Sequence, residues 1–245
     1  MAGKLKGVIL AGGKGTRLLP ATRAMNKHLI PILNRPMILY PLETLRDVFG
    51  ITDILIVSGG DHIGGFAEFL GDGGEYNVSL TYRVQTEAGG IAQALSLAED
   101  FAAGSPIVVI LGDNIFDNTV LARVLKKTKP RTSEAMIFLR EVPDAQRFGV
   151  PTFDAKGRVS KITEKPAQPA SSYAITGLYS YPADVFARVK KLKPSARGEL
   201  EITDVNDAYV KAGKCRHAML DGFWSDAGTP QSLARTVAWA MEQGQ

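Results

Sequence analysis

Short apolar runs alternate with stretches of helical spacing through the first half of the chain. Residues 7–10, 53–57, 78–84 and 107–111 are strand-length apolar segments. Between them, 36–48, 62–70 and 90–101 carry apolar residues at three- and four-residue intervals, which predicts helices, with Pro36 at a first helical turn. This alternation predicts an α/β fold: a doubly wound, mostly parallel central sheet covered on both faces. From residue 135 the rhythm changes. Segments 135–140, 158–163, 174–181 and 216–220 read as strands, and 183–192, 203–212 and 230–241 as helices. With no linker or repeat, the pattern predicts one domain over 1–245, its first half about 1–134 and a subdomain about 135–245 built onto the same sheet.

Ligands of such sheets bind beyond the carboxyl ends of the strands. Leu10 is followed there by Ala11-Gly12-Gly13-Lys14-Gly15-Thr16-Arg17-Leu18. Three glycines in four residues remove the Cβ atoms that keep a polyanion off the backbone, and their N–H groups can form a cradle for phosphate oxygens. Arg17 adds a planar, permanently charged fork, and Lys27 follows in a Pro-bounded segment. No Gly-Lys-Ser/Thr closes the loop, so it is not a P-loop. Glycines alone fit a plain strand-to-helix turn equally well; Thr16, Arg17 and Lys27 favour phosphate.

Asp113, with Asn114, ends the fourth apolar run, and Asp226 sits in Phe223-Trp224-Ser225-Asp226-Ala227-Gly228-Thr229. Two carboxylates at strand ends suit Mg²⁺, a hard cation that takes oxygen ligands and keeps several waters. Alone, Asp113 reads more readily as a turn former and Asp226 as a helix cap, and their spacing does not bring them together. Lys27, Lys165 and Arg197 each have the ordinary alternative of a solvated cation. Glu164-Lys165-Pro166 places an acid beside a base after a strand, able to meet sugar hydroxyls and a phosphate. The Gln85 amide can bond a pyrimidine edge, and Gly90 would allow close approach of a base.

Bulk properties narrow the class. Apolar content of 45% in 245 residues gives a globular chain, and no apolar run is long enough to span a bilayer. Cys215 is the single cysteine, which excludes an internal disulfide and a multi-thiolate zinc site, and His28, His62 and His217 lack metal-ligand spacing. The net charge of +4 is scattered, with nothing longer than pairs such as Lys126-Lys127, so neither nucleic acid nor membrane is expected as a partner. A cytoplasmic location is the expectation.

Taken in order, several blocks resemble the sugar-phosphate nucleotidyltransferases, and most of all their short-form branch that transfers thymidylyl groups to glucose 1-phosphate. They are the glycine loop, Asn26-Lys27-His28-Leu29-Ile30-Pro31, Gln85, Gly90-Ile91-Ala92-Gln93-Ala94, Leu111-Gly112-Asp113-Asn114-Ile115-Phe116, Phe148-Gly149-Val150 and Glu164-Lys165-Pro166, then residues 173–179 and 192–206. The resemblance implies a Rossmann-like nucleotidyltransferase fold with a sugar-binding subdomain. It implies condensation of dTTP with α-D-glucose 1-phosphate to dTDP-glucose and pyrophosphate, feeding deoxysugar synthesis such as the dTDP-rhamnose route, and assembly as a homo-oligomer. Arg17, Lys27, Asp113, Lys165 and Asp226 become the catalytic set, with Mg²⁺ on Asp113 and Asp226. The nucleotide falls to Leu10, Gly12, Gly13, Gly15, Thr16, Arg17, Lys27, Gln85, Gly90 and Asp113. The sugar phosphate falls to Asn114, Gly149, Glu164, Lys165, Ile175, Arg197 and Trp224, although core burial explains Trp224 as readily. The alternatives are a UTP-using relative and a catalytically silent nucleotide-sugar sensor. His28 replaces the Gln of longer members, Phe148 the Tyr of many, and the C-terminal extension those members carry is not expected here.

Overall fold

Val8 and Leu10 face one side of the first strand, and Ile9 and Ala11 the other, each in its own apolar cluster. β1 (Lys6–Leu10) is therefore buried on both faces, where each fully enclosed branched side chain contributes ~1.5–3 kcal/mol. The computed structural model describes residues 3–244. After β1 come β2 (Pro31–Ile32), β3 (Arg35–Pro36), α1 (Leu39–Glu43), β4 (Asp53–Gly59), α2 (Ile63–Leu70) and β5 (Ser79–Gln85). Next are α3 (Ile91–Ser96), α4 (Glu99–Ala102), β6 (Ile107–Leu111), β7 (Asn114–Phe116), α5 (Asn118–Lys127) and β8 (Ala135–Glu141). The last third holds β9 (Gly149–Phe153), β10 (Val159–Glu164), β11 (Tyr173–Tyr181), α6 (Val185–Val189), α7 (Ile202–Lys211), β12 (Cys215–Leu220), β13 (Trp224–Asp226) and α8 (Pro230–Glu242).

Seven strands form the central sheet in the order β12-β8-β11-β6-β1-β4-β5. The neighbours are parallel except around β11, which runs against both β6 and β8. α3, α6 and α7 cover one face through Leu95, Phe186 and Val205. α1, α2 and α5 cover the other through Leu42, Phe66 and Leu121. The expected mostly parallel, two-sided sheet is what forms. No helix among the described residues is long and apolar enough to cross a membrane.

Three local expectations are corrected. Pro36 is not at a helical first turn: it pairs with Pro31 in the β2–β3 hairpin, and the helix begins at Leu39. That helix then widens over Thr44–Val48, where Thr44 Oγ1 lies within hydrogen-bond reach of Tyr40 O and of Asn118 Oδ1 and so loosens the local ladder. The single helix expected over 90–101 is two, α3 and α4, separated by a tightened turn in which Ala98 N bonds Leu95 O. α5 lies outside the expected elements, although Val120, Leu121, Val124 and Leu125 recur at helical spacing. Its start is fixed by Asp117, whose Oδ1 accepts from Thr119 N and Val120 N.

Two small two-stranded ladders stand above the carboxyl end of the sheet. β9 and β10 pair with each other and lean on α7, where Asp207 Oδ1 accepts from Ile162 N at 3.0 Å. β7 and β13 pair antiparallel directly after β6. Both ladders carry side chains that the sequence singles out.

Candidate functional site

A cleft of about 290 Å³ opens at the carboxyl end of the sheet. Gly12, Arg17, Lys27, Asp113, Asn114, Gly149, Glu164, Lys165, Ile175, Arg197, Trp224 and Asp226 all line it. Residues spread from the first strand to the start of the last helix therefore meet in one place. Leu10, Gly13, Gly15, Thr16, Gln85 and Gly90 lie outside that lining.

The two carboxylates meet because β13 pairs with β7: Asp226 lies opposite Asn114, and Ala227 N donates to Asp113 O at 2.8 Å. Asn114 is fully engaged. Its Oδ1 accepts from Gly177 N and Trp224 Nε1, each at 2.8 Å, while its amide donates to Asp113 Oδ1 at 3.0 Å. It fixes Asp113 and Trp224 in one stroke. Trp224 is buried, with its ring edge-on to Phe148.

Lys27 Nζ lies 2.5 Å from Asp113 Oδ2, both side chains largely enclosed. Burial alone would raise the Asp113 carboxyl, but the Lys27 ammonium, its hydrogen bond and that from Asn114 hold it well below the usual carboxylate range. Asp226 goes the other way. Burial pushes its carboxyl up, Arg147 at 3.1 Å pulls it down, and the neighbouring Asp113 charge adds to the rise. Two largely enclosed carboxylates whose charges repel each other could take a shared cation. No group of three or more His, Cys, Asp or Glu that could hold a metal occurs among the described residues. A cation here would thus complete its shell with water and phosphate oxygens, the habit of Mg²⁺.

The glycine turn reaches the same cleft. Gly13 and Gly15 have φ of 92° and 61°, a region that favours glycine, and Thr22 Oγ1 ties the turn by donating to Gly15 O. A side chain at Gly228 would lie 3.3 Å from both an Arg17 guanidinium nitrogen and Asp113 Oδ2, so these two flank one small gap. His28 packs beneath Gly112 with Nδ1 against Asn26 Oδ1 at 2.7 Å. Burial first, then the Lys27 charge, pulls its imidazole down to about 3, so it is neutral.

On the opposite wall, Glu164 accepts from Thr203 Oγ1 and faces Lys165 and Arg197 at 3.5 and 3.4 Å. Lys165 has φ of 40°, a conformation rare for a side-chain-bearing residue and concentrated at functional sites. Glu201 holds Arg197 bidentately, with both oxygens 2.8 Å from one guanidinium nitrogen and Oε1 also accepting from Nε. Gln85 Oε1 stands 2.7 Å from where a Gly12 Cβ would be, and its Nε2 donates to Gln93 Oε1. Gly90 has φ of 95°, and its missing Cβ makes room for the Leu200 carbonyl, which a Cβ would approach to 2.6 Å. The close approach expected there is thus made by the chain itself, which docks residues 199–200 against α3.

Arg147, Tyr179, Glu199, Glu201 and Thr203 also line the cleft, although the sequence reading gave them no role. Arg147 directly precedes the Phe148-Gly149 block, and the three residues from 199 to 203 lie within the 192–206 block, so position beside a motif was the available signal.

The sequence profile of the nucleotidyl transferase family matches residues 6–242. A glucose-1-phosphate thymidylyltransferase of Neisseria meningitidis is 43% identical over 239 residues, 97% of this chain and 83% of that protein. One from Xanthomonas campestris is 45% identical over 230 residues, 93% of this chain and 78% of that protein. A Bacillus anthracis protein assigned as a glucose-1-phosphate thymidylyltransferase, solved in complex with sucrose, superposes with a TM-score of 0.89 at 49% identity, covering 97% of this chain and 95% of that one. With the glycine turn, the paired carboxylates and the cations in one cleft, and with matches over nearly its whole length, the chain belongs to the nucleotidyl transferase family, among the glucose-1-phosphate thymidylyltransferases.

Proposed function

We propose that this chain condenses dTTP with α-D-glucose 1-phosphate, giving dTDP-glucose and pyrophosphate. The observation that carries the reading is the convergence of Asp113 and Asp226 beside Arg17 at the glycine turn. The choice of substrates draws on the names of its relatives. The halves divide the labour within one domain, residues up to about 134 taking the nucleotide and those from about 135 the sugar phosphate.

Bringing a triphosphate to a monophosphate is the central difficulty. Two unit charges 4 Å apart repel by about 1 kcal/mol in water and about 4 kcal/mol at an effective dielectric near 20. Several cations are needed. On this reading Arg17 and Lys27 meet the triphosphate and Lys165 and Arg197 the sugar phosphate; all four line the cleft. Mg²⁺, held by Asp113 and Asp226, supplies further neutralisation of phosphate oxygens when bound. Gln85, beside Gly12, is positioned for the base edge, and Glu164 for sugar hydroxyls.

With the two substrates so aligned, a sugar-phosphate oxygen attacks the α-phosphorus in line. The new P–O bond forms as the bond to the bridging oxygen breaks, and that electron pair leaves with pyrophosphate. The protein positions and neutralises rather than forming a covalent intermediate.

Pyrophosphate release timed with glucose 1-phosphate, Mg²⁺ and each nucleoside triphosphate tests this. dTTP is expected to give the highest kcat/KM. UTP should follow within about 10–200-fold, because one methyl is worth ~1–3 kcal/mol. A preference for GTP or CTP overturns the base assignment. Binding of nucleotide sugar without any turnover would favour the silent sensor.

A further inference from the structure

Arg147 ends the single turn Ala145–Arg147 before β9 and ties that turn to the end of β13 through one guanidinium. One terminal nitrogen donates to Asp144 Oδ2 at 2.7 Å and the other to Asp226 Oδ2 at 3.1 Å. Asp226 Oδ1 has no hydrogen-bond partner among the described residues. The guanidinium also lies over the Phe148 ring, 5.2 Å from its centroid, and Phe148 meets Trp224 edge-on at 5.2 Å. Trp224 donates to Asn114, which donates to Asp113. Arg147 therefore touches one carboxylate directly and the other through a short chain of packed groups. It also stands in the wall between the main cleft and an adjoining hollow of about 210 Å³.

An arginine between two surface carboxylates is usually worth ~0–1 kcal/mol. The Asp226 side chain, however, is only 17% exposed, and a planar fork fixes the direction of the oxygen it binds. A carboxylate held at one oxygen presents the other in a set direction. Outer partners of metal-ligating groups commonly govern 10–100-fold in metal affinity or activity.

Resting on the reading that Asp113 and Asp226 share a divalent cation, we propose that Arg147 is a positioning residue for that cation. It holds Asp226 Oδ2 so that Oδ1 is presented for coordination, and Asp144 fixes the guanidinium from behind. The cost of losing it falls on metal affinity before it falls on the chemical step.

Mn²⁺ binding to the intact chain without substrates, followed by electron paramagnetic resonance, reads this independently of turnover. Arg147→Met is expected to weaken Mn²⁺ binding about tenfold and to raise the Mg²⁺ concentration for half-maximal rate in step, while kcat at saturating metal changes far less. Arg147→Lys should recover part of the affinity, and Asp144→Asn should lose a smaller share. Asp226→Asn is measured beside them. If it binds Mn²⁺ like the native chain, the shared-carboxylate reading itself fails. If it loses Mn²⁺ while Arg147→Met binds as tightly as the native chain, or more tightly, the role of Arg147 is overturned. Should Arg147→Met not fold, native Mn²⁺ affinity in Asp144→Asn overturns it instead.

Discussion

Asp226 lies directly opposite Asn114 across the β7–β13 ladder, so its distance from Asp113 is set by main-chain pairing rather than by the reach of two loops. Behind it, Thr229 and Ser232 cap α8 reciprocally, and Ser232 Oγ donates to the Asp226 carbonyl at 2.7 Å. Strand register and helix cap fix the same residue. A site built on such elements keeps its geometry better than one built on loops.

Asp113→Asn keeps the side-chain shape and removes the charge. Turnover is expected to fall at least about a hundredfold, equivalent to ~3 kcal/mol of lost transition-state stabilisation. Unfolding should remain a single transition. Native rates of pyrophosphate release in this variant would rule out a metal role for Asp113.

Glu201→Gln weakens the bidentate grip on Arg197 while preserving the bulk. The KM for glucose 1-phosphate should rise about tenfold, the effect of losing ~1.4 kcal/mol, with the KM for the triphosphate unchanged. An equal rise in both constants would show that Glu201 serves the fold rather than the sugar-phosphate side.

Gly90→Ala meets two obstacles, a φ of 95° and the Leu200 carbonyl. Denaturant titration should show a loss of about 1–3 kcal/mol. Because Leu200 N is tied to Gly89 O, the strain should pass to the neighbouring Arg197 loop and raise the KM for the sugar phosphate. Unchanged stability would mean that the two segments part at little cost.

His28 is held neutral, with its imidazole pulled down to about 3 by burial and then by Lys27. The unfolded chain, with an ordinary imidazole near 6.5, binds the proton more readily. Stability is therefore fully present above about 6.5 and declines as pH falls toward 3, by up to ~1.4 kcal/mol per pH unit from this group. The depressed Asp113 carboxyl contributes with the same sign but only below the ordinary carboxylate range. Denaturant midpoints of His28→Gln between pH 4 and about 6.5 should show a shallower slope than the native chain. Parallel slopes would remove His28 as the cause.

Much of the sheet was legible because continuous apolar runs such as Ile107–Leu111 suit strands buried on both faces. Helix details were less so. Pro36 is compatible with a helix start and with a hairpin edge, and only its partner Pro31 decides. α5 was legible as well, since Val120, Leu121, Val124 and Leu125 form an apolar stripe behind the Asp117 cap, yet the alternation of longer runs masked it. In the site, the glycine turn stood out by residue type and position, whereas each aspartate alone read as a turn former or a helix cap and drew its expected role from the family resemblance. The meeting of the two aspartates was not legible, since strand pairing between 114–116 and 224–226 leaves no trace in local spacing. Arg147 offered only its place beside the Phe148-Gly149 block, because its partner Asp226 lies far along the chain.

β11 breaks register between Ile175 and Tyr179, and at that irregularity Gly177 turns its N–H away from the β8 ladder toward Asn114. Ile175 faces the cleft from the same interruption. The floor of the cleft there is consequently main chain, anchored to the very amide that steadies Asp113. On the proposed reading, exchanges at Ile175 can therefore reshape which hexose fits while the packed chain Arg147–Phe148–Trp224–Asn114 keeps the carboxylates in place, so sugar tolerance and phosphate chemistry are free to diverge along separate evolutionary routes.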